Sequence, residues 1–200
     1  MFSGIVESVG KVESIEIQGG NKLFKITSPL SSKAYIDQSI THNGVCLTVI
    51  QHDDTSHSVV AVDETLHKSN LNGLVEGSIV NLEKSITANK LLDGHIVQGH
   101  VDTTGTCQNI KEADGSWYFT FSYDSSFAHL LVAKGSVTIN GVSLTVIDPS
   151  ENSFSVAIIP YTYEHTNFKV LQHGDKVNLE FDIIGKYVAR QLELRRGVQQ

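Results

Sequence analysis

Cys46 and His100 are the side chains in this sequence best suited to making bonds and moving protons. An ionised thiol is a strong nucleophile, and an imidazole exchanges protons near neutral pH. Cys46 lies in SITHNGVCLTVI, residues 39–50, and His100 lies in DGHIVQGHVD, residues 93–102, which also holds His95. Each has a plain structural reading too: a small buried hydrophobe in a strand for Cys46, a hydrogen-bonded structural histidine for His100. His95 and His100 are five residues apart and do not share a helical face, and the chain has no H-E-x-x-H or C-x-x-C. A zinc site is therefore not expected. G-x-S-x-G, G-x-x-x-x-G-K-[ST] and G-x-G-x-x-G are missing as well, which sets aside nucleophile-elbow hydrolases, P-loops and Rossmann sites.

The two residues sit in different halves of a duplication. SITHNGVCLTVI at 39–50 recurs as SVTINGVSLTVI at 136–147, identical at nine of twelve positions with an offset of 97. The same offset pairs Thr65 with Thr162, Asn70 with Asn167, Gly77 with Gly174 and the VNLE at 80–83 with that at 177–180. At an offset of 95, Gly4, Val6 and Gly10 match Gly99, Val101 and Gly105. A unit of this length is a domain, not a short solenoid repeat. Where the copies differ, Cys46 becomes Ser143 and Ile5 becomes His100. A site using both Cys46 and His100 must join the two repeats, within one chain or between chains.

The positioning elements are mostly strands. Val45–Ile50, Val142–Ile147, Val59–Val62, Trp117–Tyr123 and Phe154–Ile159 are rich in β-branched and aromatic residues. Asn43-Gly44 and Asn140-Gly141 stand before two of them as tight turns. Strands every 8–12 residues predict one small barrel per repeat. Asp124-Ser125-Ser126 predicts a capped short helix reaching Leu131, with a counterpart near Leu30–Ile36. The tail at 185–196, GKYVARQLELRR, reads as a helix with Val188 and Leu192 on one face. Arg195 and Arg196 sit in its last turn, and Gly197 is expected to stop it. Twelve residues are marginal alone in water, so this helix packs on its own domains or on copies of itself. The expected domains are 1–95, 96–184 and a helical tail at 185–200.

Two hundred residues with 40% hydrophobic and 18% charged content describe an ordinary globular chain. No apolar run approaches the ~18 residues of a membrane span, and MFSGIVESVG lacks the features of a signal peptide. A net charge of -7 with no basic block argues against nucleic acid. Cys46 and Cys107 are too few for a disulfide framework, so a reducing, cytoplasmic setting is expected. The duplicated Leu-Thr runs and Thr65/Thr162 offer polar groups in equivalent places, suited to holding a planar heterocycle twice over.

MFSGIVE, SITHNGVCLTV, GHIVQGHVDTTG, NGVSLTV and IPYTYEHTN, in that order, closely resemble riboflavin synthase of the alpha-chain type. The resemblance spans residues 1–190. It implies a mainly β fold of two tandem homologous six-stranded Greek-key β-barrels with short helices, plus a C-terminal α-helix. It implies that two molecules of 6,7-dimethyl-8-ribityllumazine exchange a four-carbon unit, giving riboflavin and 5-amino-6-ribitylaminouracil, with no cofactor and no metal. It implies a homotrimer held by the tail helix, with the first barrel of one subunit meeting the second barrel of a neighbour. Lumazine synthase is the further partner that the resemblance suggests.

Residue by residue, the resemblance puts Gly4, Ile5, Val6, Cys46, Leu47, Thr48, Val60, Ala61, Val62, Asp63, Glu64 and Thr65 in a first-repeat pocket. It puts Gly99, His100, Val101, Lys134, Ser143, Leu144, Thr145, Ile159, Pro160, Tyr161, Thr162, Tyr163 and Glu164 in a second-repeat pocket. Ser39, Cys46, His100, Thr145 and Asp182 fall on positions linked to catalysis. Tyr161 departs from the pattern: some relatives carry a carboxylate there, as does the first repeat at Glu64. On this view His100 removes a proton from the acidic C7 methyl of one lumazine. Cys46, or a water it positions, adds to C7 of the other. Cys46→Ser and His100→Gln proteins would then complement on mixing. Similar proteins of luminous bacteria keep the double barrel as non-catalytic lumazine or flavin carriers, and they would be expected to lack Cys46, His95 and His100.

Overall fold

The computed structural model describes the backbone of residues 1–197 and the side chains of residues 1–195. Each repeat contributes six strands. In the first they are β1 (Ser8–Gln18), β2 (Asn21–Thr27), β3 (Ser39–His42), β4 (Val45–His52), β5 (Ser56–Ala61) and β6 (Ile79–Lys84). In the second they are β7 (Thr103–Ala113), β8 (Ser116–Ser122), β9 (Ser136–Ile139), β10 (Val142–Thr145), β11 (Ser153–Ile158) and β12 (Lys176–Phe181). The first set closes into a barrel in the order β1-β2-β5-β4-β3-β6, and the second repeats that order as β7-β8-β11, with β10-β9-β12 on the other side. The first unit joins β4 to β5 by a ladder. The second joins the equivalent edges by one bridge, Ile147 to Ser155. Gln51 and His52 of that ladder are replaced by Asp148, left-handed at φ 46, and by Pro149, which has no N–H to donate.

The expected turns are present. Asn43-Gly44 and Asn140-Gly141 have φ of 49 and 81 and of 47 and 81, the signature of a type I′ hairpin. Asp124 caps a 3-10 turn over Ser125–Leu130 by accepting from the Ser126 N–H at 2.9 Å, and Ser31–Lys33 is its first-repeat counterpart. Two short helices, α1 (Asp63–Lys68) and α2 (Pro160–His165), follow β5 and β11, where the sequence reading named pocket residues and located no helix. Pro160 at the first helical position was the available signal. The tail helix α3 runs Ile183–Gly197. It starts earlier than expected because Asp182 caps it, accepting from the Ile184 N–H at 2.9 Å, and it takes in Gly197, which was expected to end it. The Arg196 side chain and the tail 198–200 lie outside the described residues.

The barrels dock about a pseudo-twofold axis lined by asparagines. The Asn81 amide donates to the Asn140 carbonyl and to Asn167 Oδ1, both at 2.9 Å. Its mate Asn178 donates to the Asn43 carbonyl at 2.8 Å and to Asn70 Oδ1 at 2.9 Å. The backbone N–H groups of Asn167 and Asn70 return bonds to Asn81 and Asn178. Both members of each pair descend from one duplicated position, so one set of contacts is made twice.

The cores differ. The second barrel is filled by Phe119, Phe121, Phe154, Phe168 and Phe181, the first by aliphatic residues around one phenylalanine, Phe24. Among the latter sits a buried polar string: His57 Nδ1 lies 2.8 Å from Ser31 Oγ, and His57 Nε2 lies 2.9 Å from His42 Nε2. The second repeat has Ala128, Phe154 and Ile139 at these places. Burial, then His57, holds the His42 pKa well below its ordinary value, and burial, then His52, pushes His57 down to about 4. The unfolded chain, with histidines near 6.5, therefore binds more protons than the folded one between those values. Stability is full above about pH 6.5 and falls as pH drops through this window, by up to about 1.4 kcal/mol per pH unit for each histidine. The triple substitution Ser31→Ala, His42→Ile, His57→Phe should flatten that dependence in thermal melts at pH 7 and pH 5. An equal acid-induced drop in both proteins would assign it to other groups.

Candidate functional site

The N-terminal segments of the two repeats straddle the barrels. Glu83 on β6 accepts from the Ser3 N–H (2.7 Å), Ser3 Oγ (2.7 Å) and the Gly4 N–H (3.0 Å). Glu180 on β12 accepts from the N–H groups of Gln98 (2.6 Å), Gly99 (2.9 Å) and His100 (3.0 Å). Burial is the main influence on both carboxyl groups and raises their pKa, while the donated hydrogen bonds act the other way. Each segment then turns its carbonyl to the opposite barrel: Gly4 O accepts from the Ser143 N–H and Gly99 O from the Cys46 N–H, both at 2.8 Å. Phe2 and Val97 bridge the segments to one another.

Only glycine fits at these crossings. Gly4 and Gly99 have φ of 76 and 80, and a Cβ on either would lie 2.6 Å from the Cβ of Ser143 or Cys46.

This crossing corrects the grouping expected from the sequence. Gly4 lies against Ser143, and Val6 packs on the second-barrel core. Gly99 lies against Cys46, and Val101 packs on the first-barrel core. His100 is therefore carried to the barrel that holds Cys46, in the same chain. The split of these two residues between repeats does not separate them in space, and the expected complementation between Cys46→Ser and His100→Gln loses its basis.

The second barrel holds a cavity of about 380 Å3 lined by Lys134, Ser143, Leu144, Thr145, Ile159 and Thr162, all singled out in the sequence, together with Ile147 and Ala157. Its first-repeat counterparts are Asp37, Cys46, Leu47, Thr48, Val62 and Thr65, with Ile50 and Val60. Lys134 and Asp37 share a left-handed backbone, φ 67 and 70. The two places thus occupy repeat-related positions and differ in chemistry: thiol against hydroxyl, acid against base. Cys46 is half-buried. Cys107 is a core residue whose thiol is pushed up to about 11 by burial, so it is inert.

Ser39 on β3 pairs with Thr48 on β4, as Ser136 pairs with Thr145. Ser39, Cys46 and the His100 segment thus gather at the first barrel, and Thr145 and Asp182 belong to the second. Ile5 is exposed, as are Val62, Asp63 and Glu64, whereas Ala61 is buried. Glu64 pairs with Lys68 at 3.3 Å and Asp63 with His67 at 3.3 Å. Tyr163 stacks on Trp117 at 3.9 Å, and Tyr161 stacks on His165 at 4.1 Å. Glu164 is exposed.

Sequence reasoning missed Glu83 and Glu180, although a glutamate ending the duplicated VNLE of an otherwise buried strand was a readable signal. It named His95 as a metal candidate and as a residue that carriers would lack, but gave it no place, whereas its Nδ1 lies 2.7 Å from Ser143 Oγ.

The described helices include none long and apolar enough to cross a membrane. The signature of the lumazine binding domain matches twice, over residues 3–85 and 98–182. Riboflavin synthase of Bacillus subtilis is 39% identical over 191 residues, covering 95% of this chain and 89% of that protein. Riboflavin synthase of Mycobacterium bovis is 39% identical over 195 residues, covering 95% and 97%. A crystal structure of LumP complexed with riboflavin superposes with a TM-score of 0.85 at 23% identity, covering 90% of this chain and 99% of that one, a likeness of fold. With two lumazine binding domains and this identity along nearly its whole length, the chain belongs to the riboflavin synthase family.

Proposed function

We infer that the protein dismutates two molecules of 6,7-dimethyl-8-ribityllumazine, transferring a four-carbon unit to give riboflavin and 5-amino-6-ribitylaminouracil. The doubled residue set carries this reading: Cys46, Leu47, Thr48 and Thr65 stand in the repeat-related positions of Ser143, Leu144, Thr145 and Thr162, which line the second-barrel cavity. A reaction between two copies of one molecule needs two like sites whose reacting groups differ. One lumazine lies on Cys46–Thr48, Val60–Thr65 and the crossing segment Gly99–Val101. The other lies on Lys134, Ser143–Thr145, Ile159–Glu164 and the crossing segment Gly4–Val6. His100 takes a proton from the C7 methyl, whose carbanion delocalises into the ring. The Cys46 thiolate or a water it holds adds to C7 of the partner molecule. Holding the two rings in register removes an entropic barrier worth up to about 7–11 kcal/mol in ideal cases.

The domains are residues 1–95 and 96–184, with 185–200 as the assembly element of a homotrimer. In support, α3 leaves Ile184, Tyr187, Val188 and Leu192 exposed, the last two at 54% and 52%. A largely apolar groove of about 460 Å3 runs between α3 and the second barrel. Two free cysteines suit a cytoplasmic setting.

The direct test is incubation with 6,7-dimethyl-8-ribityllumazine alone, with chelator present. One riboflavin per two lumazines consumed is expected. Tight binding without riboflavin would make the protein a chromophore carrier. Subunit exchange tests where the site is built. Thr145→Val mixed with His100→Gln should recover activity, because random exchange leaves about one site in four with both barrels intact. Cys46→Ser mixed with His100→Gln should recover nothing. No recovery in either mixture would place the whole site within one subunit, and recovery in the second would mean that Cys46 and His100 act from different subunits.

A further inference from the structure

Each crossing segment ends on an acid that faces a lysine. Glu7 follows Gly4–Val6, and Asp102 follows Gly99–Val101, 95 positions further on. The Glu7 N–H donates to the Leu82 carbonyl and the Asp102 N–H to the Leu179 carbonyl, both at 2.9 Å. The two acids are thus fixed on β6 and β12 in the same way. Each side chain then meets a lysine from the chain that leaves that strand. Lys90, in the linker after β6, lies 2.7 Å from Glu7 Oε1. Lys186, in the first turn of α3 after β12, lies 2.6 Å from Asp102 Oδ2. Asp102 Oδ2 also accepts from the Phe181 N–H at 2.9 Å. Lys84 lies 3.7 Å from Glu7 Oε2.

We propose that Lys90 and Lys186 are positioning residues that latch the crossing segments: Lys186 sets the place of His100 through Asp102, and Lys90 sets that of Gly4–Val6 through Glu7. A short segment that crosses to another barrel holds its middle still only if both of its ends are fixed. The buried glutamates hold the near ends, Glu83 through Ser3 and Gly4 and Glu180 through Gln98, Gly99 and His100. The lysine pairs close the far ends. Lys90 and Lys186 stand 96 positions apart, and the chain that supplies them differs. Lys90 belongs to a turn whose N–H donates to the Thr87 carbonyl, whereas Lys186 is helical. The contact is kept although its support has changed from a linker to a helix.

Ion pairs this open to water add little to stability, so their worth here is a fixed distance between segment and strand. The lysines also act on the anchors. Burial is the largest influence on Glu83 and Glu180 and raises their pKa, and Lys90 and Lys186 are among the groups that lower it again. Each lysine therefore favours the ionised glutamate that holds the near end of the same segment. Because Lys186 is carried by α3, the helix outside both barrels takes part in placing a residue of the first-barrel site. This proposal rests on the two clefts being lumazine sites, with His100 as the base.

Lys186→Met, Asp102→Asn, their double variant, Lys186→Arg and Lys90→Met test it by three measurements. These are riboflavin formation, exchange of the lumazine C7 methyl hydrogens in D2O at saturating lumazine followed by NMR, and size-exclusion chromatography. Lys186→Met should lower kcat and the catalysed methyl exchange together, each about tenfold, with KM within about threefold. Asp102→Asn should do the same, and the double variant should be no slower than the slower single one, as groups acting as a unit behave. Lys186→Arg should return kcat to within about threefold of wild type, since it restores the charge. Lys90→Met should instead raise KM about tenfold and leave the exchange within about threefold. A Lys186→Met protein with kcat within about twofold of wild type overturns the proposal, and so does a multiplied loss in the double variant. A loss that Lys186→Arg fails to rescue, or that follows dissociation of the protein on the column, overturns it too. So does a Lys90→Met protein that loses methyl exchange as Lys186→Met does. A wild-type protein that forms no riboflavin overturns the underlying reading instead.

Discussion

Glu180→Ala should cost about 3–5 kcal/mol of stability and, by displacing Gly99 and His100, about 100-fold in riboflavin formation. The Glu180 carboxylate is buried and accepts three backbone N–H groups in a row, those of Gln98, Gly99 and His100. Removing it leaves these donors without an acceptor in a place water reaches poorly, and each unpaired buried donor costs about 1–3 kcal/mol before relaxation. The chain segment they hold is the one that turns the Gly99 carbonyl to the Cys46 N–H. Loss of the anchor therefore reaches the first barrel although Glu180 belongs to the second. Glu180→Gln keeps one acceptor oxygen but turns an NH2 group toward N–H donors, so it should fall between. Denaturant unfolding together with the riboflavin assay checks both effects. A Glu180→Ala protein within about 1 kcal/mol and threefold of wild type would mean that the segment is held by its other contacts.

Gly44→Ala should be strongly destabilising, at about 3–4 kcal/mol. Gly44 and Gly141 sit back to back on the pseudo-twofold axis, each with φ 81, and a Cβ on either would lie 2.8 Å from the other's amide nitrogen. The left-handed backbone alone accounts for about 1–2 kcal/mol. The rest comes from forcing apart two backbones that the asparagine seam holds together. Gly115→Ala separates the two causes, since Gly115 has φ 80 with nothing within 4 Å of its Cβ position. It should lose only the conformational share. Because the seam opens once, Gly44→Ala with Gly141→Ala should cost less than the sum. Equal losses at Gly44 and Gly115 in equilibrium unfolding would remove the interface from the explanation.

Much of the fold was legible in the residues. β-Branched runs after Asn-Gly turns marked β4 and β10, and the Asp124 cap marked the turn before Leu131. These features are local: a turn type and a cap depend on a few neighbouring residues. α1 and α2 were missed because each has only six residues, too few to show a helical period. The shortened β10 could have been read from Asp148-Pro149. At the site, the residue types were legible and their grouping was not. Nothing near Gly99 in the chain points to Cys46, 53 positions away.

The sequence by itself determined the duplication, the strand and turn pattern of each barrel, the chemical difference between Cys46 and Ser143, and through its motifs the family. Only the tertiary structure decided that each repeat's first residues cross to the other barrel, that the segment carrying His100 therefore pairs with Cys46 in one chain through Gly99, and that His95 lies against Ser143. The physical reason is range. Turns, caps and strand propensity are set by steric and hydrogen-bonding preferences over a few residues. The crossings are set by buried carboxylates satisfying N–H groups some 80 residues away and by glycines that let two backbones touch, contacts that exist only once both barrels are folded and docked.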